Sequence, residues 1–224
     1  MMNDIRRWLE TLAVTDCPDE YETKQLLQRY GIRIPESIRL HPDAPTPDPD
    51  FKPPYVVKVC AGSVLHKTDQ GGVLLNLDRD ALGKGIEHIR NRFPGKAVLI
   101  EEQIGFRETE FIVGALVDPD FGPAVMVGAG GVLTELYKDV AFRLAPCPAE
   151  EALRMLGELT LSPVLEGFRG IDLDRNGLAR IISSTGEIAM ALGDRFSQLD
   201  INPLVCSGGK WVALDAKLLL CKSG

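Results

Sequence analysis

The chain has 224 residues and a formal charge of -7, with 45% hydrophobic and 25% charged residues. This composition is typical of a globular protein with one large domain or two small ones, and it argues against disorder. The acidic balance disfavours nucleic acid as a partner, although a local basic site for one phosphate group remains open. The sequence lacks a long apolar run and a signal-peptide centre, so we expect a cytoplasmic protein without a membrane span.

The N-terminal region predicts an arm followed by one helix. We expect residues 1–19 to form an exposed N-terminal arm. A helix is predicted from Glu20 to Tyr30, with Asp19 able to cap its start. Gly31 follows in the position where a left-handed residue usually ends a helix.

Short strands and helices alternate from residue 38 onward. Residues 41–54 contain six prolines, so this segment is predicted to be an extended loop. Strands are predicted around residues 38–40 and at YVVKV, VLLNL, AVLIEEQI, TEFIVGALVD and PAVMVGAGG. Helices are predicted at about residues 80–92, 149–156 and 176–192. Strands interleaved with helices indicate an α/β or α+β protein.

The last segment, SQLDINPLVCSGGKWVALDAKLLL, is predicted to form a hairpin. If Gly208 and Gly209 form a two-residue turn, the numbers of facing residues sum to 417. Asn202 then faces Asp215, and Asp200 faces Lys217 on the same side of the pleat. An amide oxygen beside a carboxylate suits Mg²⁺, which prefers oxygen ligands. The alternative is a hydrogen-bonded Asn–Asp pair near a strand end.

Lys58 and His66 are candidates for phosphate chemistry. Lys58 lies inside the apolar strand YVVKV, where its ammonium could contact phosphate oxygens; the alternative is a lysine exposed on a strand edge. His66 lies in the loop SVLHKTDQGGV beside Lys67. Histidine can act as a nucleophile and carry a phosphoryl group. The alternative for His66 is a solvated surface residue.

Carboxylates near two predicted strands could contact a nucleoside. Glu101, Glu102 and Gln103 end the strand VLIEEQI, and a carboxylate there could accept a hydrogen bond from an adenine amino group. Glu110 begins the next strand and could bind ribose hydroxyls. Each of these signals is weak by itself, because glutamates after a strand are usually solvated. The sequence contains no Walker A, G-x-G-x-x-G, G-x-S-x-G or C-x-x-C pattern.

Several separated motifs occur in the order found in one family. They are EYETKQLLQRYGI, VVKVCAGSVLHKTDQGGV, EFIVGALVDPDFGPAVMVGAGGVLTELYKDVAFRLAP, FRG, LDINPL and ALDAK. Together they resemble the ATP-grasp, or β, subunit of ADP-forming acetyl-CoA (acyl-CoA) synthetases, which are relatives of succinyl-CoA synthetase. The resemblance runs from about Glu20 to Leu220. Where this family commonly has a helix before the lysine strand, the chain has its proline-rich loop.

The resemblance implies an α+β chain with the ATP-grasp fold, in which two α/β lobes hold nucleotide between them. We assign residues 20–97 to the small lobe and residues 98–224 to the large lobe. The implied nucleotide contacts are Lys58 and Lys67 to phosphates, Glu102, Gln103 and Ile104 to adenine, and Glu110 to ribose. The resemblance also implies that Asn202 and Asp215 hold Mg²⁺, and that Lys58 and His66 are catalytic, with His66 phosphorylated.

The implied reaction is acyl-CoA + ADP + phosphate ⇌ carboxylate + CoA + ATP. In this family a CoA-binding α subunit carries the first phosphohistidine, so we expect activity only with that partner, in an α2β2 heterotetramer. Two alternatives remain: a non-catalytic nucleotide-sensing module, and an ATP-grasp ligase of another carboxylate. A neighbouring gene for a CoA-binding α chain would distinguish the β subunit of an acyl-CoA synthetase from an ATP-grasp ligase of another carboxylate.

Overall fold

The computed structural model describes residues 2–12, 17–64, 67–107, 110–130, 139–171 and 173–221. In chain order, their helices and strands are α1 (Met2–Thr11), α2 (Glu20–Arg29), β1 (Ser37–Leu40), β2 (Tyr55–Cys60), β3 (Val73–Leu77), α3 (Arg79–Arg92), β4 (Ala97–Glu102), β5 (Phe111–Asp118), β6 (Gly122–Ala129), β7 (Val140–Leu144), α4 (Ala149–Gly157), α5 (Ser162–Leu165), α6 (Arg175–Leu192), β8 (Phe196–Ser207), β9 (Lys210–Ala213) and β10 (Ala216–Leu220). Single 3-10 turns lie at Phe168–Gly170 and Gly193–Arg195. Within the described ranges, no helix is long and apolar enough to cross a membrane.

The chain divides into two compact units. The large unit consists of Met1–Pro18, Glu22–Ile34 and Phe106–Gly224, and the small unit of Asp19–Tyr21 and Pro35–Gly105. The predicted lobe boundary after residue 97 is therefore wrong. It would separate β4 from β1 and β2, with which β4 forms antiparallel pairs.

The small unit is an antiparallel sheet with α3 on one face. Its strand order is β1-β4-β2-β3. Alternate residues of β2 and β4 pack with Leu82, Ile86 and Ile89 of α3 in one apolar cluster. The helix begins where the Asp78 carboxylate accepts a hydrogen bond from the Ala81 N–H at 2.8 Å, which satisfies one of the free donors of its first turn.

The proline-rich segment is confirmed as a loop. Residues 41–54, all of which the structure describes, form neither helix nor strand. Phe51 nevertheless belongs to the small unit's core, and its ring meets that of Tyr55 edge-on at 5.7 Å. The Tyr55 hydroxyl donates to the Phe51 carbonyl at 3.2 Å. This loop is therefore anchored at the residues that lead into β2.

The large unit is an antiparallel sheet packed against α4 and α6. Its strand order is β10-β8-β5-β6-β7, with β9 pairing with β8. Phe111, Val113 and Ala115 of β5 are buried toward the core, as the period of two along a strand requires. Strand β7 was not predicted, because VAFRL is short and the apolar Ala141 breaks the alternation of apolar and polar residues along it.

The predicted exposed N-terminal arm is wrong. Residues 2–11 form α1, and Ile5, Trp8 and Leu12 are buried in the core of the large unit, Trp8 with only 3% of its surface exposed. Their spacing places them on one side of the helix, and this apolar side packs against the core.

The predicted helix α2 is confirmed to within one residue at its C-terminal end. Leu26 and Leu27 of α2 are buried in the large unit's core, and Tyr30 packs against that core. Gly31 has a φ of +79°, the left-handed conformation that glycine adopts at little cost. Its N–H donates to the Gln28 carbonyl at 3.1 Å, so the helix ends as predicted.

Candidate functional site

Lys58 is buried in the interior of the small sheet. Strand β2 lies between β4 and β3, and only 7% of the surface of Lys58 is exposed. Its Nζ lies 2.8 Å from Oε1 of Glu20 and 2.7 Å from Oε2 of Glu101. The alternative of a lysine exposed on a strand edge is therefore wrong, since two carboxylates compensate a buried ammonium.

Lys67 joins the same group of charges. Its Nζ forms a hydrogen bond with Oε2 of Glu20, so one carboxylate contacts both candidate phosphate lysines. We call Glu20, Lys58, Lys67 and Glu101 the charge cluster; its formal charges sum to zero. Leu65 and His66 lie outside the described residues, so the position predicted for His66 is untested.

Cys60 lies two residues after Lys58 in β2 and is buried. Burial raises the pKa of its thiol from 9.0 to about 12, and the negative charge of Asp19 adds to this effect. A thiol with so high a pKa carries almost no thiolate at neutral pH. Cys60 is therefore a small buried residue with an unreactive thiol.

The predicted adenine hinge is held by hydrogen bonds within the small unit. The Glu102 N–H donates to the Glu36 carbonyl at 3.0 Å, and the Glu102 carboxylate accepts from the Glu36 N–H at 3.1 Å. The Gln103 N–H donates to the Pro54 carbonyl at 2.9 Å. The Gln103 side chain accepts from the Asn76 N–H at 2.6 Å and donates to the Asn76 side-chain oxygen at 2.8 Å. These contacts give Gln103 a structural role that sequence reasoning did not predict.

Glu110 directly precedes β5 in the large unit and is half-buried. Its carbonyl accepts a hydrogen bond from the Gly130 N–H at 2.6 Å. A Cβ at position 130 would lie 2.8 Å from the carbonyl carbon of Glu110. This contact is too short for any residue with a side chain, so only glycine fits here. The glycine-rich end of β6 thus fixes the backbone of the predicted ribose-binding residue.

The register predicted for the last hairpin is confirmed. Gly208 and Gly209 have φ values of +57° and +72°, as a two-residue turn with both residues left-handed requires. Leu204 faces Ala213, and Lys217 faces Asp200, so the sum of 417 holds on both sides of Asn202 and Asp215. The returning strand is broken into β9 and β10.

Asn202 and Asp215 meet where that strand is broken. The Asn202 N–H donates to the Asp215 carbonyl at 3.1 Å, which places the two residues opposite each other. Lys24, buried in the large unit, donates to the adjacent Leu214 carbonyl at 2.7 Å. An amide oxygen on β8 and a carboxylate at the adjacent strand break are ligands of the kind that Mg²⁺ accepts, since this ion takes few protein ligands and keeps several waters.

The hairpin face beside this pair carries a second acidic residue, Asp200. Burial raises the pKa of Asp200, against a hydrogen bond from Gln198 and the charge of Lys217, both of which lower it. The Gln198 amide donates to Asp200 at 2.7 Å. Among the described residues, no group of three or more His, Cys, Asp or Glu side chains could hold a metal ion. One amide and one carboxylate would leave the other coordination positions of Mg²⁺ to water or phosphate.

Sequence reasoning missed the roles of Glu20, Glu101 and Lys24. Glu20 and Lys24 occur in the motif EYETK at the start of α2, but nothing local tells which strand or turn a helix residue will reach. Glu101 was considered only for adenine, whereas its side chain lies on the Lys58 face of the sheet.

Comparison with known proteins identifies the family of this chain. The ATP-grasp domain family matches residues 14–220. The chain is 36% identical over 212 residues to the "Acetate--CoA ligase [ADP-forming] I subunit beta" of Pyrococcus furiosus, covering 90% of both chains. It is 31% identical over 214 residues to the corresponding II subunit beta of that organism, again covering 90% of both.

A solved structure gives the same result. The dinucleotide-forming acetyl-coenzyme A synthetase 1 of Ca. Korarchaeum cryptofilum, in complex with coenzyme A and Mg-AMPPCP, matches with a TM-score of 0.80 and 28% identity. The match covers 99% of this chain and 100% of that one. In that structure a phosphohistidine segment points towards the nucleotide binding site. The chain described here belongs to the ATP-grasp family and, within it, to the β subunits of ADP-forming acyl-CoA (acetate–CoA) ligases.

Proposed function

We propose that this chain binds ATP or ADP with Mg²⁺ and transfers phosphate between a phosphohistidine and ADP, in an α2β2 complex with a CoA-binding α subunit. The net reaction is acyl-CoA + ADP + phosphate ⇌ carboxylate + CoA + ATP. The observation that carries the proposal is the facing pair Asn202 and Asp215 in a chain 36% identical to an acetate–CoA ligase β subunit over 90% of both chains.

In the small unit, Lys58 and Lys67 contact the nucleotide phosphates as fixed positive charges. Phosphoryl transfer depends mainly on positioning and charge neutralisation, so two oriented ammoniums suit this step. Adenine contacts residues 102–104. Because the N–H groups of Glu102 and Gln103 already donate to the Glu36 and Pro54 carbonyls, the backbone donor for adenine is the N–H of Ile104.

In the large unit, Glu110 binds the ribose hydroxyls, and Asn202 and Asp215 hold Mg²⁺. When bound, the ion neutralises charge on the nucleotide phosphates. The Lys24 bond to the Leu214 carbonyl holds the break between β9 and β10, which keeps Asp215 opposite Asn202.

His66 accepts the phosphoryl group from the phosphohistidine of the α subunit and passes it to ADP. In the second transfer, the N–P bond of His66 breaks as a terminal oxygen of ADP bonds to phosphorus, and the imidazole keeps the electron pair. Gly72 packs closely under this loop: a Cβ there would lie 2.9 Å from the Lys67 carbonyl. The loop is thereby held close to β3 directly after the histidine.

The experiment that tests this function follows the phosphoryl group. The α–β complex is incubated with γ-labelled ATP and Mg²⁺, and this chain should acquire a label that is acid-labile and base-stable, as a phosphoramidate is. His66→Ala should abolish both the label and ATP formation. The matched control is His88→Ala, since His88 is exposed on α3 and should leave both unchanged.

Each outcome separates the competing functions. Full-rate ATP formation by His66→Ala would mean that phosphate passes directly from the α subunit to ADP. A wild-type chain that binds ATP but acquires no label and supports no turnover would indicate a nucleotide sensor. Turnover with a carboxylate but without CoA would indicate another ATP-grasp ligase.

A further inference from the structure

Glu20 contacts both candidate phosphate lysines through different oxygens. Its Oε1 lies 2.8 Å from Nζ of Lys58, and its Oε2 bonds Nζ of Lys67. We propose that Glu20 is a positioning residue, which holds these two ammoniums side by side so that they can act together on the nucleotide phosphates. This inference rests on the proposed function.

The burial of the cluster makes this contact strong. The side chain of Glu20 is only 4% exposed, and those of Lys58 and Lys67 are 8% and 17% exposed. Hydrogen bonds between ionised groups are short and strong, and they are weakly screened where water is excluded. A lysine ammonium on its flexible four-carbon stem has no fixed direction of its own, so its direction is set by the carboxylates it contacts. Glu20 contacts both lysines, and Glu101 contacts Lys58 as well.

The charge of Glu20 allows the two ammoniums to lie close together. Two ammoniums that are both within hydrogen-bond distance of Glu20 repel each other, and the repulsion is large in a buried site. The Glu20 charge offsets this repulsion. Without that charge, we expect the two ammoniums to move apart, and the phosphates would then lose one of them.

The arrangement has a physical parallel in another class of phosphoryl-transfer enzyme. In protein kinases, a lysine on a strand contacts the ATP phosphates only when a helix glutamate pairs with it. Here Lys58 lies on β2 and Glu20 opens α2. In both cases a carboxylate on a helix orients the ammonium group of a lysine on a strand.

The test compares nucleotides that differ in phosphate number. Calorimetry on the full chain measures the Kd for ATP and for AMP in the wild type, in Glu20→Gln and in a control, Glu87→Gln, which makes the same change on the exposed face of α3. Glu20→Gln should weaken ATP binding about tenfold, the effect of losing one charged hydrogen bond. Its affinity for AMP should stay close to that of wild type, and the control should match wild type for both.

A double-mutant cycle tests whether Glu20 acts through Lys58. If it does, Glu20→Gln should cost less ATP affinity in a Lys58→Ala background than in the wild type, because the directed ammonium is already gone. If the two substitutions instead damage the structure independently, their losses of ATP affinity should multiply.

A nucleotide-free measurement supports the same point: acetylation of Lys67, followed by peptide mass mapping, should be faster in Glu20→Gln than in wild type.

The outcomes distinguish this inference from the proposed function. A wild-type chain that binds neither nucleotide would overturn the proposed function and the inference with it. Normal wild-type binding, with Glu20→Gln equal to wild type, tighter for ATP, or equally weakened for ATP and AMP, would overturn the inference alone. If Glu20→Gln does not fold, Glu20→Asp replaces it, since it keeps the charge but shortens the reach. A selective loss of ATP affinity then supports positioning, and unchanged affinity overturns it.

Discussion

Replacing Lys58 by methionine should strongly destabilise the small unit. Methionine keeps most of the aliphatic stem but removes the ammonium that lies 2.8 Å from Glu20 and 2.7 Å from Glu101. Removing one partner of a buried ion pair costs about 3–5 kcal/mol, because the remaining charge stays buried. Two carboxylates remain here, both almost fully buried, so we expect the loss to lie near the upper end of that range.

Thermal unfolding followed by circular dichroism measures this loss. At about 2–4 °C per kcal/mol for a chain of this size, the midpoint should fall by about 10–20 °C. The control Lys84→Met removes an exposed ammonium from α3 and should change the midpoint by no more than about 1–2 °C.

A second substitution tests whether the loss comes from charge. In Lys58→Met the carboxylate of Glu101 loses the ammonium 2.7 Å away, so adding Glu101→Gln should restore part of the stability. A Lys58→Met protein as stable as wild type would refute the description of the charge cluster. A double variant less stable than Lys58→Met would show that lost packing, rather than an uncompensated charge, causes the effect.

Three further predictions concern metal, core and thiol. Asp215→Ala should abolish the Mg²⁺ dependence of ATP binding in calorimetry while leaving the unfolding midpoint nearly unchanged; a retained Mg²⁺ effect would remove Asp215 from the metal site. Trp8→Ala should lower the free energy of unfolding by about 3–5 kcal/mol in urea, since α1 packs this side chain in the core; an unchanged value would restore the exposed-arm interpretation. Cys60 should resist a thiol-specific reagent at pH 8 in the folded protein and react once unfolded, because its pKa is raised to about 12; rapid labelling of the folded chain would contradict that burial.

Much of the fold could be predicted because its signals are local. The apolar, β-branched run YVVKV and the helix stop at Gly31 depend on residues close together in the chain, and both are confirmed. The hairpin is the clearest case. Two glycines with positive φ set the turn, and the turn sets the register that brings Asn202 opposite Asp215.

Features that depend on distant residues were missed or wrong. The prediction of an exposed arm was wrong because the apolar side of α1 is buried by a core built largely from the second half of the chain. The lobe boundary was wrong because β4 pairs with β1 and β2, and strand neighbours are not encoded in the strand itself. The contact of the Gln103 side chain with Asn76, 27 residues away in sequence, was missed for the same reason.

The sequence by itself determined the family, most of the elements and the facing pair Asn202–Asp215, because ordered motifs and a tight turn are readable along the chain. Only the tertiary structure decided what surrounds Lys58. Its partner Glu20 lies 38 residues earlier, and no pattern in either segment predicts their contact. A buried ammonium requires carboxylates at hydrogen-bond distance, and packing alone determines which carboxylates can reach it.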